Sequence, residues 1–552
     1  MSWVNSDLLF LPVGGSEEIG MNANLYHYQD KWILVDLGIS FPDETDLGID
    51  VLLPDFDFIQ SLGDKFLGIL LTHGHEDHIG AIPYFADKIN CPIWGTAFTI
   101  ALLKRKLKEN NNNNTKLVLN VLSIGEKLKL GDFIINTIQT SHSIPDPVSF
   151  LISTKEGNIF HSGDWKLEQA KNLNENFDFD TYRSLGNNGV LAMICDSTNS
   201  LVKGKTPSED FAYEGLYKVV KNKQGAVLIT CFSSNISRVK SILDIALKTD
   251  RSILVIGRSL LRAIDAAKEV GYLKHVPDFL TLKDFNVISR SNVLVIATGS
   301  QGEPNSALSR ISRNADKFVN LIKGDTIIFS SRKIPGNENA ILKVQNRFLD
   351  NGVELITDED ADIHVSGHPS RDELIEMYSF IKPKISIPVH GTREHIEAHA
   401  KLANDCQVPN VIKPKNGDII KLNGLSPTVL DTKKFTTNVF DGGDVVPIDN
   451  DRFVSRRHTL WNGFVHISIV IDMDGYIISP PQITQTGVSD RNNIEDFLLD
   501  CSLKIETIFN NDNFQNKDSD EEICDYIKKN IRKDFKALFQ KRPSMSVHLI
   551  RV

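Results

Sequence analysis

The sequence predicts an α/β fold with one domain inserted into another, and three features of the chain support this prediction. A short apolar run from Phe66 to Leu71 reads as a buried strand and leads directly into a turn rich in histidine. A later run, Ile385 to Val389, ends in His390 and is expected to return the chain to the same domain. Between these runs, a second α/β unit is predicted by four apolar runs that each lead into a small polar loop: 226–230, 253–256, 293–297 and 326–329.

Composition and charge narrow the class of protein. The 552 residues are 41% apolar, which supports ordinary globular cores. No apolar run reaches the length of about 18 residues that a membrane span needs, and the short run Leu8 to Leu11 predicts a strand rather than a signal peptide. Six scattered cysteines without a Cys-x-x-Cys pair are typical of a reducing compartment, so a cytoplasmic protein is predicted. The net charge of −10 argues against a surface coated in basic charge, although it is compatible with a local basic groove.

The strongest chemical signal is the turn that follows Leu71. It holds three histidines and the carboxylate of Asp77 within six residues. His73 and His75 alternate, so they can point to one side, whereas Asp77 and His78 can face a second metal ion. Two metal ions about 3.5–4 Å apart clamp a phosphodiester or another phosphoryl or acyl centre. The alternative, a surface loop without a metal, is disfavoured because a buried strand precedes the turn.

Further candidate ligands follow other predicted strands. His142 and Asp164 each come shortly after an apolar run, and His390 ends the run that returns the chain. Each of these residues alone would more often be structural. The carboxyl ends of strands in an α/β fold face a common site, however. Together with the turn, these residues supply enough ligands for two metal ions.

The loops of the middle unit predict contact with a polyanion. Their small residues let backbone and hydroxyl donors approach a phosphate closely. None of them is a Walker loop, because no Gly-Lys-Ser or Gly-Lys-Thr follows. Ordinary tight turns of a parallel sheet are the alternative. The loops are 232–235, 257–259, 298–303 and 330–332.

A second candidate site runs from His364 to His368. Two histidines, a hydroxyl and a glycine within five residues indicate a phosphate seat or an acid/base site, since a histidine with a pKa near 6.5 can protonate a leaving oxygen. A helical histidine pair and a third metal site are the alternatives. We favour a strand followed by a turn, because Asp362 to Val365 is rich in β-forming residues and Gly367 ends the run.

The C-terminal part predicts a linker followed by a small separate domain. A hairpin is predicted over 464–471 and 476–479, with Asp474 and Gly475 at its turn. Two amphipathic helices and a last strand at 545–550 follow. Because this part holds no catalytic cluster, it is predicted to serve interaction or oligomerisation.

Taken together, these residues resemble those of the bacterial ribonuclease J family, whose members are nucleases of metallo-β-lactamase fold with a β-CASP insertion. The likeness covers essentially the whole chain. A lactamase-like cluster alone is common to many hydrolases, whereas its combination with the inserted domain and with residues 364–368 is specific. The stretches that carry the resemblance are 14–20, 72–80, 141–146, 196–199, 298–304, 330–338 and 364–368.

The resemblance implies the fold class and the domain organisation. The expected fold is an α/β metallo-β-lactamase αββα sandwich with an inserted Rossmann-like β-CASP domain and a small α+β C-terminal domain. The expected segments are 1–215 and 366–430 for the metallo-β-lactamase domain, 216–365 for the β-CASP domain, 431–458 for the linker and 459–552 for the C-terminal interaction domain.

The resemblance also implies the metal ligands. Two Zn²⁺ ions are expected, with Mn²⁺ or Mg²⁺ as alternatives, and Asp50 and Asp444 are expected near a structural Ca²⁺ site. The zinc ligands are expected to be His73, His75 and His142 for one ion, Asp77, His78 and His390 for the other, and Asp164 as the bridge.

Catalytic and substrate-binding roles follow in the same way. A hydroxide activated by the metal ions would attack phosphorus in line, His368 would protonate the leaving oxygen, and Asp196 would orient its imidazole. Ser237 stands where several relatives carry a histidine, so this chain departs from the family at a position that bears on selection for a 5′-phosphate. The residues expected to bind the terminal phosphate and nearby backbone are Ser233, Ser234, Asn235, His364, Val365, Ser366, Gly367 and His368.

The implied activity is that of a ribonuclease with 5′→3′ exonuclease action, preferring RNA with a 5′-monophosphate, and endonuclease action, in RNA processing, including rRNA processing, and decay. The implied partners are RNA, further copies of the chain in a homodimer or homotetramer, and components of an RNA-decay complex, but no membrane. Three rival functions are a small-molecule metallohydrolase, which has no need of the inserted domain, a DNA nuclease, and a non-catalytic subunit. The non-catalytic subunit is disfavoured because all seven ligands are present. No residue that would recognise the 2′-hydroxyl is evident in the sequence, so the sequence does not distinguish RNA from DNA as the substrate.

Overall fold

The computed structural model describes residues 4–42, 48–110, 116–168, 177–274, 276–334, 336–424, 426–491, 494–511 and 519–552. The chain divides into two units, Met1–Phe41 with Asp50–Val445 and Pro42–Ile49 with Val446–Val552. Within the described residues, no helix combines the length and the apolar character needed to cross a membrane.

The first unit contains both large sheets and the inserted sheet. Its strands are β1 (Leu9–Gly14), β2 (Ser16–Glu17), β3 (Ala23–Tyr28), β4 (Lys31–Val35), β5 (Leu52–Leu53), β6 (Phe66–Leu70), β7 (Ile93–Gly95), β8 (Leu119–Val121), β9 (Lys127–Leu130), β10 (Phe133–Gln139), β11 (Val148–Thr154), β12 (Gly157–His161), β13 (Ala192–Asp196), β14 (Val227–Thr230), β15 (Ser252–Ile256), β16 (Val293–Ala297), β17 (Thr326–Phe329), β18 (Glu354–Ile356), β19 (Ile385–Val389), β20 (Gly391–Thr392), β21 (Asn410–Val411), β22 (Asp418–Lys421), β23 (Thr428–Thr432) and β24 (Asn438–Asp441). Strand β25 (Asp444–Pro447) crosses the boundary between the units.

The helices of the first unit alternate with these strands. They are α1 (Asp57–Ser61), α2 (Glu76–Ile79), α3 (Ala97–Glu109), α4 (Phe179–Asn187), α5 (Glu209–Val220), α6 (Ile236–Lys248), α7 (Arg258–Glu269), α8 (Ala307–Ser312), α9 (Glu338–Asp350), α10 (Arg371–Ile381) and α11 (Arg393–Asp405).

Two large sheets face each other across an apolar core. The first has the order β23-β22-β1-β3-β4-β6-β7-β8, and the second has the order β21-β19-β13-β12-β11-β10-β9. Phe10 and Tyr26 of the first sheet belong to the same buried cluster as Phe150 of the second. Because successive side chains of a strand point to opposite faces, Leu9 and Leu11 instead belong to the core that contains residues of α1 and α3. The outer face of the second sheet shares a core with residues of α10 and α11, so the layers are αββα, as predicted.

The inserted unit is a five-stranded parallel sheet of order β15-β16-β14-β17-β18. Residues of α6 and α7 pack on one face and residues of α8 and α9 pack on the other, which confirms a Rossmann-like insertion. The four strands predicted from apolar runs are present. The fifth, β18, was not predicted, because it has only three residues. The chain then returns through β19, which pairs in parallel with β13 and aligns Val389 with Asp196.

One strand prediction is wrong. Residues 362–365 do not form a strand, although they are rich in β-forming residues. Side chains satisfy their backbone instead: the carbonyl of Ile363 accepts hydrogen bonds from Arg238 Nη1 (3.1 Å) and from Ser330 Oγ (2.7 Å). The segment is therefore an extended loop that the inserted domain holds from one side.

The second unit is a small α+β structure. It contains α12 (Asp451–Asn462), β26 (Phe464–Ile471), β27 (Ile477–Thr486), α13 (Ile494–Asn511), α14 (Asp520–Phe539) and β28 (Ser544–Arg551). The predicted hairpin is present as β26 and β27, and β28 adds to it in parallel. Alternate residues of β26 form a core with residues of α13 and α14.

Candidate metal centre

The structure brings the seven predicted metal ligands together where strands from both large sheets end. They lie on segments that follow β6, β10, β12 and β19. Their donor atoms form two overlapping groups, and the atoms of each group lie within 4.8 Å of one another. Asp164 belongs to both groups, which is the position of a bridging ligand. The groups are His73, His75, His142 and Asp164, and Asp77, His78, Asp164 and His390.

Atoms of the first group surround a common centre. Nδ1 of His75 lies 3.0 Å from Nε2 of His73 and 3.1 Å from Nε2 of His142. Oδ2 of Asp164 lies 3.7 Å from each of these two Nε2 atoms. Nitrogen and oxygen ligands of a tetrahedral zinc ion lie about 2.0–2.2 Å from the metal and hence about 3.3–3.6 Å from one another. The donor set and its spacing therefore fit a zinc ion.

The second group has similar spacing. Oδ2 of Asp77 lies 3.0 Å from Nε2 of His390 and 3.5 Å from Nε2 of His78. Oδ2 of Asp164 lies 3.3 Å from the same His78 nitrogen. Two carboxylates and two imidazoles make this group richer in oxygen than the first, which suits zinc, manganese or another divalent cation.

The two groups differ in protonation. Burial and the neighbouring imidazoles hold the pKa of His73 and His142 well below the usual histidine value. Burial alone would also lower the pKa of His78 and His390, but the Asp164 carboxylate and other acidic neighbours raise both pKa values well above the usual one. The surroundings thus favour neutral imidazoles in the first group and protonated imidazoles in the second, where a cation would displace the protons.

Hydrogen bonds on the far side of four imidazoles fix their orientation. In each ring the Nδ1 atom meets a polar partner, so Nε2 is left to face the metal groups. The Nδ1 contacts are Thr72 Oγ1 for His73 (3.0 Å), Asp36 Oδ2 for His78 (2.7 Å), the Gly367 carbonyl for His142 (2.6 Å) and Thr198 Oγ1 for His390 (2.9 Å).

Unusual backbone geometry accompanies these contacts. Asp36 and His390 adopt left-handed φ angles of 62° and 54°, a conformation that is uncommon for residues other than glycine. A Cβ atom on Gly367 would lie 2.6 Å from Cε1 of His142. Only glycine therefore lets the loop 364–368 approach the metal group this closely.

The predicted acid/base pair lies beside the metal groups. Nδ1 of His368 is 2.7 Å from Oδ2 of Asp196 and 3.8 Å from Oδ2 of Asp164. Burial would lower the pKa of His368, but the carboxylates of Asp196 and Asp164 raise it above the usual value. The side chain of His368 is 20% exposed, whereas that of Asp196 is buried. The carboxylates thus favour the protonated form of this imidazole, which lies at the partly exposed edge of the cluster.

Residues after Asp196 connect the metal groups to the loop 364–368. Oδ1 of Asp196 accepts hydrogen bonds from the backbone N–H (2.8 Å) and hydroxyl (2.7 Å) of Thr198. The amide of Asn199 donates to Ser366 Oγ (2.8 Å) and to the His368 carbonyl (3.1 Å). Ser366, predicted to bind phosphate, is therefore positioned by Asn199.

The other predicted phosphate-binding residues lie on two segments. Ser233 and Ser234 are half-buried on the loop before α6, and Asn235 is the N-cap of that helix, accepting from Arg238 N (2.8 Å). An N-terminus of a 13-residue helix favours an anion. Burial and the charge of Arg238 lower the pKa of His364 to about 3. Among the described residues, Nδ1 of His364 is buried and has no hydrogen-bond partner. Val365 is buried and presents no polar side chain.

A buried network of charges joins these segments. The guanidinium of Arg238 is fully buried and donates to Oε2 of Glu209 from Nε (3.1 Å) and Nη2 (3.0 Å). Nζ of Lys166 lies 2.6 Å from Oε2 of Glu168 and 3.9 Å from Oε1 of Glu209. Because Arg238 also binds the carbonyl of Ile363, the start of α6 and the loop 364–368 are held together.

Four residues that support the site have no role assigned from the sequence: Asp36, Thr198, Asn199 and Arg238. Asp36 directly follows β4, which runs parallel to β6, so it lies at the same end of the sheet as the turn that holds His73 to His78. The other three act through contacts across more than a hundred residues of sequence. The predicted calcium residues, Asp50 and Asp444, belong to none of the groups of possible metal ligands among the described residues, and that site stays a prediction.

Comparison with known protein families gives matches along most of the chain. The Metallo-beta-lactamase superfamily matches residues 20–185. The Ribonuclease J, beta-CASP domain matches residues 224–348. The Zn-dependent metallo-hydrolase RNA specificity domain matches residues 361–412. The second of these ranges contains most of the inserted sheet, and the third contains the loop 364–368 and His390.

Individual proteins match over nearly the whole chain. Ribonuclease J of Sinorhizobium meliloti (strain Sm2011 / Rm2011 / 2011) is 35% identical, covering 99% of this chain and 98% of that protein. Ribonuclease J of Synechocystis (strain PCC 6803) is 34% identical over 87% of this chain and 76% of that protein, and that of Helicobacter pylori (strain B128) is 31% identical over 97% and 78%. A crystal structure of a protein of unknown function from Enterococcus faecalis V583 covers 75% of this chain and 100% of its own, with a TM-score of 0.53 and 14% identity, a likeness of fold alone.

Proposed function

Because this chain belongs to the ribonuclease J family, we propose that it is a metal-dependent ribonuclease. The proposed reaction is hydrolysis of RNA phosphodiesters, by 5′→3′ exonuclease action on RNA with a 5′-monophosphate and by endonuclease action on internal sites. The rivals from the sequence, a small-molecule hydrolase and a DNA nuclease, are kept as outcomes of the experiment below.

The observation that carries this proposal is the position of His368. Its imidazole lies at the edge of the metal groups, 3.8 Å from Asp164, and comes from the loop that the inserted domain holds. Nδ1 faces Asp196, so Nε2 is the atom left to face a leaving oxygen. A small-molecule hydrolase needs no acid on a loop that an inserted domain holds, whereas a polymer substrate can span both parts of the first unit.

In the proposed reaction, the candidate metal ligands and the His368–Asp196 pair have different roles. Bound divalent cations would supply Lewis acidity and lower the pKa of water near the scissile phosphate. His73, His75 and His142 would hold one cation, Asp77, His78 and His390 the other, with Asp164 shared. His368 would donate its Nε2 proton to the leaving oxygen, and Asp196 would stabilise the protonated imidazole through Nδ1.

A seat for a terminal phosphate would explain exonuclease action. His364 and Ser366 are close to His368 in the same loop, and the N-terminus of α6, with Ser233, Ser234 and Asn235, is tied to this loop through Arg238. Backbone N–H groups at a helix N-terminus and hydroxyls suit a phosphate monoester. The buried Nδ1 of His364 is a further donor or acceptor for it.

The experiment uses one RNA with a 5′-monophosphate, a 5′-triphosphate or a 5′-hydroxyl, labelled at its 5′ end or internally, and the matching DNA. Purified protein is assayed with Mn²⁺, Mg²⁺ or Zn²⁺, and the products are resolved on a gel. We expect mononucleotides released fastest from the monophosphate RNA, with slower internal cleavage of all three RNAs.

Other outcomes would change the proposal. Internal fragments only, at equal rates for the three 5′ ends, would remove the exonuclease part and direct attention to Ser237. Cleavage of DNA alone, or of neither nucleic acid, would overturn the proposal. An Asp77→Ala variant, prepared in the same way, controls for a contaminating nuclease.

A further inference from the structure

Behind Asp196, four buried polar side chains form a continuous hydrogen-bonded chain. Ser197 Oγ lies 2.8 Å from Nδ1 of His399, Nε2 of His399 lies 2.9 Å from the Tyr378 hydroxyl, and this hydroxyl lies 2.6 Å from Ser386 Oγ. Ser197, His399 and Ser386 have no exposed surface, and Tyr378 is 4% exposed. The chain joins the end of β13 to α11, α10 and β19.

These hydrogen-bonded side chains lie next to two residues of the candidate site, Asp196 and His390. Ser197 follows Asp196, the partner of His368, and β19 leads into His390. A Cβ atom on Gly391 would lie 3.1 Å from Cβ of Ser197 and 2.8 Å from Cβ of His395, so the turn after β13 packs directly on the backbone next to His390. A shift of Ser197 would thus move Asp196 and disturb His390 together.

Stability alone does not account for these side chains. A buried polar group needs a hydrogen-bond partner, and well-packed apolar residues of similar size are often as stabilising as a buried polar network. What a polar chain adds is direction, because each hydrogen bond fixes the rotamer of both partners. Burial lowers the pKa of His399 to about 4, so the ring is neutral at pH 7 and has one donor and one acceptor for its two neighbours.

We propose that His399 is a positioning residue for the reaction: through its Nδ1 contact with Ser197 it fixes the turn that holds the Asp196 carboxylate against His368. This inference rests on the proposed role of His368 as the general acid. Nothing in the chain of contacts requires His399 to touch the substrate or a metal ion.

Two amide substitutions of His399 distinguish the contact made by its Nδ1 atom from the contact made by its Nε2 atom. The side-chain amide of Asn coincides with the Nδ1 position of histidine, whereas that of Gln coincides with the Nε2 position. His399→Asn therefore keeps the contact with Ser197 and loses Tyr378, and His399→Gln does the reverse. Ser197→Ala removes the Ser197 contact from the other side, and Tyr378→Phe removes only the far end of the chain.

The first readout is kinetic. With 5′-monophosphate RNA in steady state, we expect His399→Gln and Ser197→Ala to lower kcat about tenfold to a hundredfold with KM changed less than about twofold, because a displaced acid slows the chemical step. For His399→Asn and Tyr378→Phe, we expect kcat values at least about tenfold higher than those of His399→Gln and Ser197→Ala. Equal kcat values for His399→Asn and His399→Gln, or a loss seen in KM instead, would overturn the inference.

The second readout does not depend on activity. The backbone N–H of Thr198 donates to Oδ1 of Asp196, so its hydrogen exchange reports the geometry of the turn. By mass spectrometry, we expect the peptide containing residues 196–199 to exchange faster in His399→Gln and Ser197→Ala than in the wild type or His399→Asn. A wild-type protein that leaves RNA intact while exchange follows this order would refute the proposed function but not the positioning. Identical exchange in all variants would refute the positioning itself.

Discussion

Nδ1 of His368 lies 2.7 Å from Oδ2 of Asp196, across 172 residues of sequence. His368 belongs to the loop that leaves the inserted domain, and Asp196 ends a central strand of the second large sheet. The pair therefore forms only when the inserted domain and the sandwich are both folded and correctly docked. The site therefore requires both the inserted domain and the two-sheet sandwich.

His368→Ala is expected to lower kcat about 10²–10⁴-fold with a much smaller change in KM, because it removes the proton donor and leaves the metal groups intact. Single-turnover cleavage and a separate RNA-binding measurement check this. His458→Ala, which changes an exposed histidine of the second unit, is the matched control and should leave kcat unchanged. Equal losses in binding and in rate would count against the role of general acid.

Asp77→Ala is expected to abolish hydrolysis and to remove about one of two bound zinc ions per chain, since Asp77 faces only the second group. Metal content by mass spectrometry and activity on RNA test this, with thermal unfolding to confirm the fold. Glu76→Gln is the control: it changes a carboxylate of the same turn that pairs with Lys106 and lies outside both groups. An active Asp77→Ala protein would refute the two-metal arrangement.

Binding of the second zinc ion is expected to release protons at pH 7, whereas binding of the first is not. The raised pKa values of His78 and His390 mean that these rings hold protons that the metal must displace, so the affinity of the second group should fall as the pH is lowered. His73 and His142 have lowered pKa values and are already neutral.

Calorimetric titration of zinc in two buffers with different ionisation enthalpies measures this release. We expect it in the second phase only, and we expect that phase to disappear in His390→Asn. Equal proton release in both phases would show that the two groups do not differ in protonation.

Arg238→Ala is expected to lower the free energy of unfolding by about 3–5 kcal/mol, because it removes the nearer of the two cations beside the buried carboxylate of Glu209 and leaves only Lys166, at 3.9 Å. Lys413→Ala removes an ion pair of similar length with Glu397 at the surface and should change stability by less than about 1 kcal/mol. Chemical denaturation of both variants gives the comparison. Similar values for the two would mean that the Arg238 site relaxes or admits water.

The sequence predicted most of what depends on local pattern. Apolar runs predicted β14 to β17, and the turn after β6 indicated candidate ligands that the structure brings together with His142, Asp164 and His390. The prediction of a strand at 362–365 was wrong, because side chains rather than a neighbouring strand donate hydrogen bonds to the backbone there. Strand β18 is too short to give a pattern.

Residues that act at a distance could not be predicted. Ser197 and His399 are 202 residues apart, and although Ser197 lies in the stretch 196–199, nothing in the sequence links it to His399. Arg238 looks like an ordinary charged residue of an amphipathic helix, yet it is fully buried. Such contacts depend on how segments far apart in the sequence pack together, which no local pattern encodes.

The buried charges around Arg238 also limit how this protein can be shortened. Glu209 lies on α5, before the inserted sheet, and Arg238 lies on α6 of the inserted unit, while Lys166 and Glu168 belong to the loop after Asp164. A truncated chain that joined residues 1–215 directly to 366–430 would expose Glu209 and separate the loop of His368 from its anchor at Ile363. We therefore expect that the lactamase-like portion is not an autonomous module, and that a minimal enzyme has to retain the insertion even for a substrate too short to reach it.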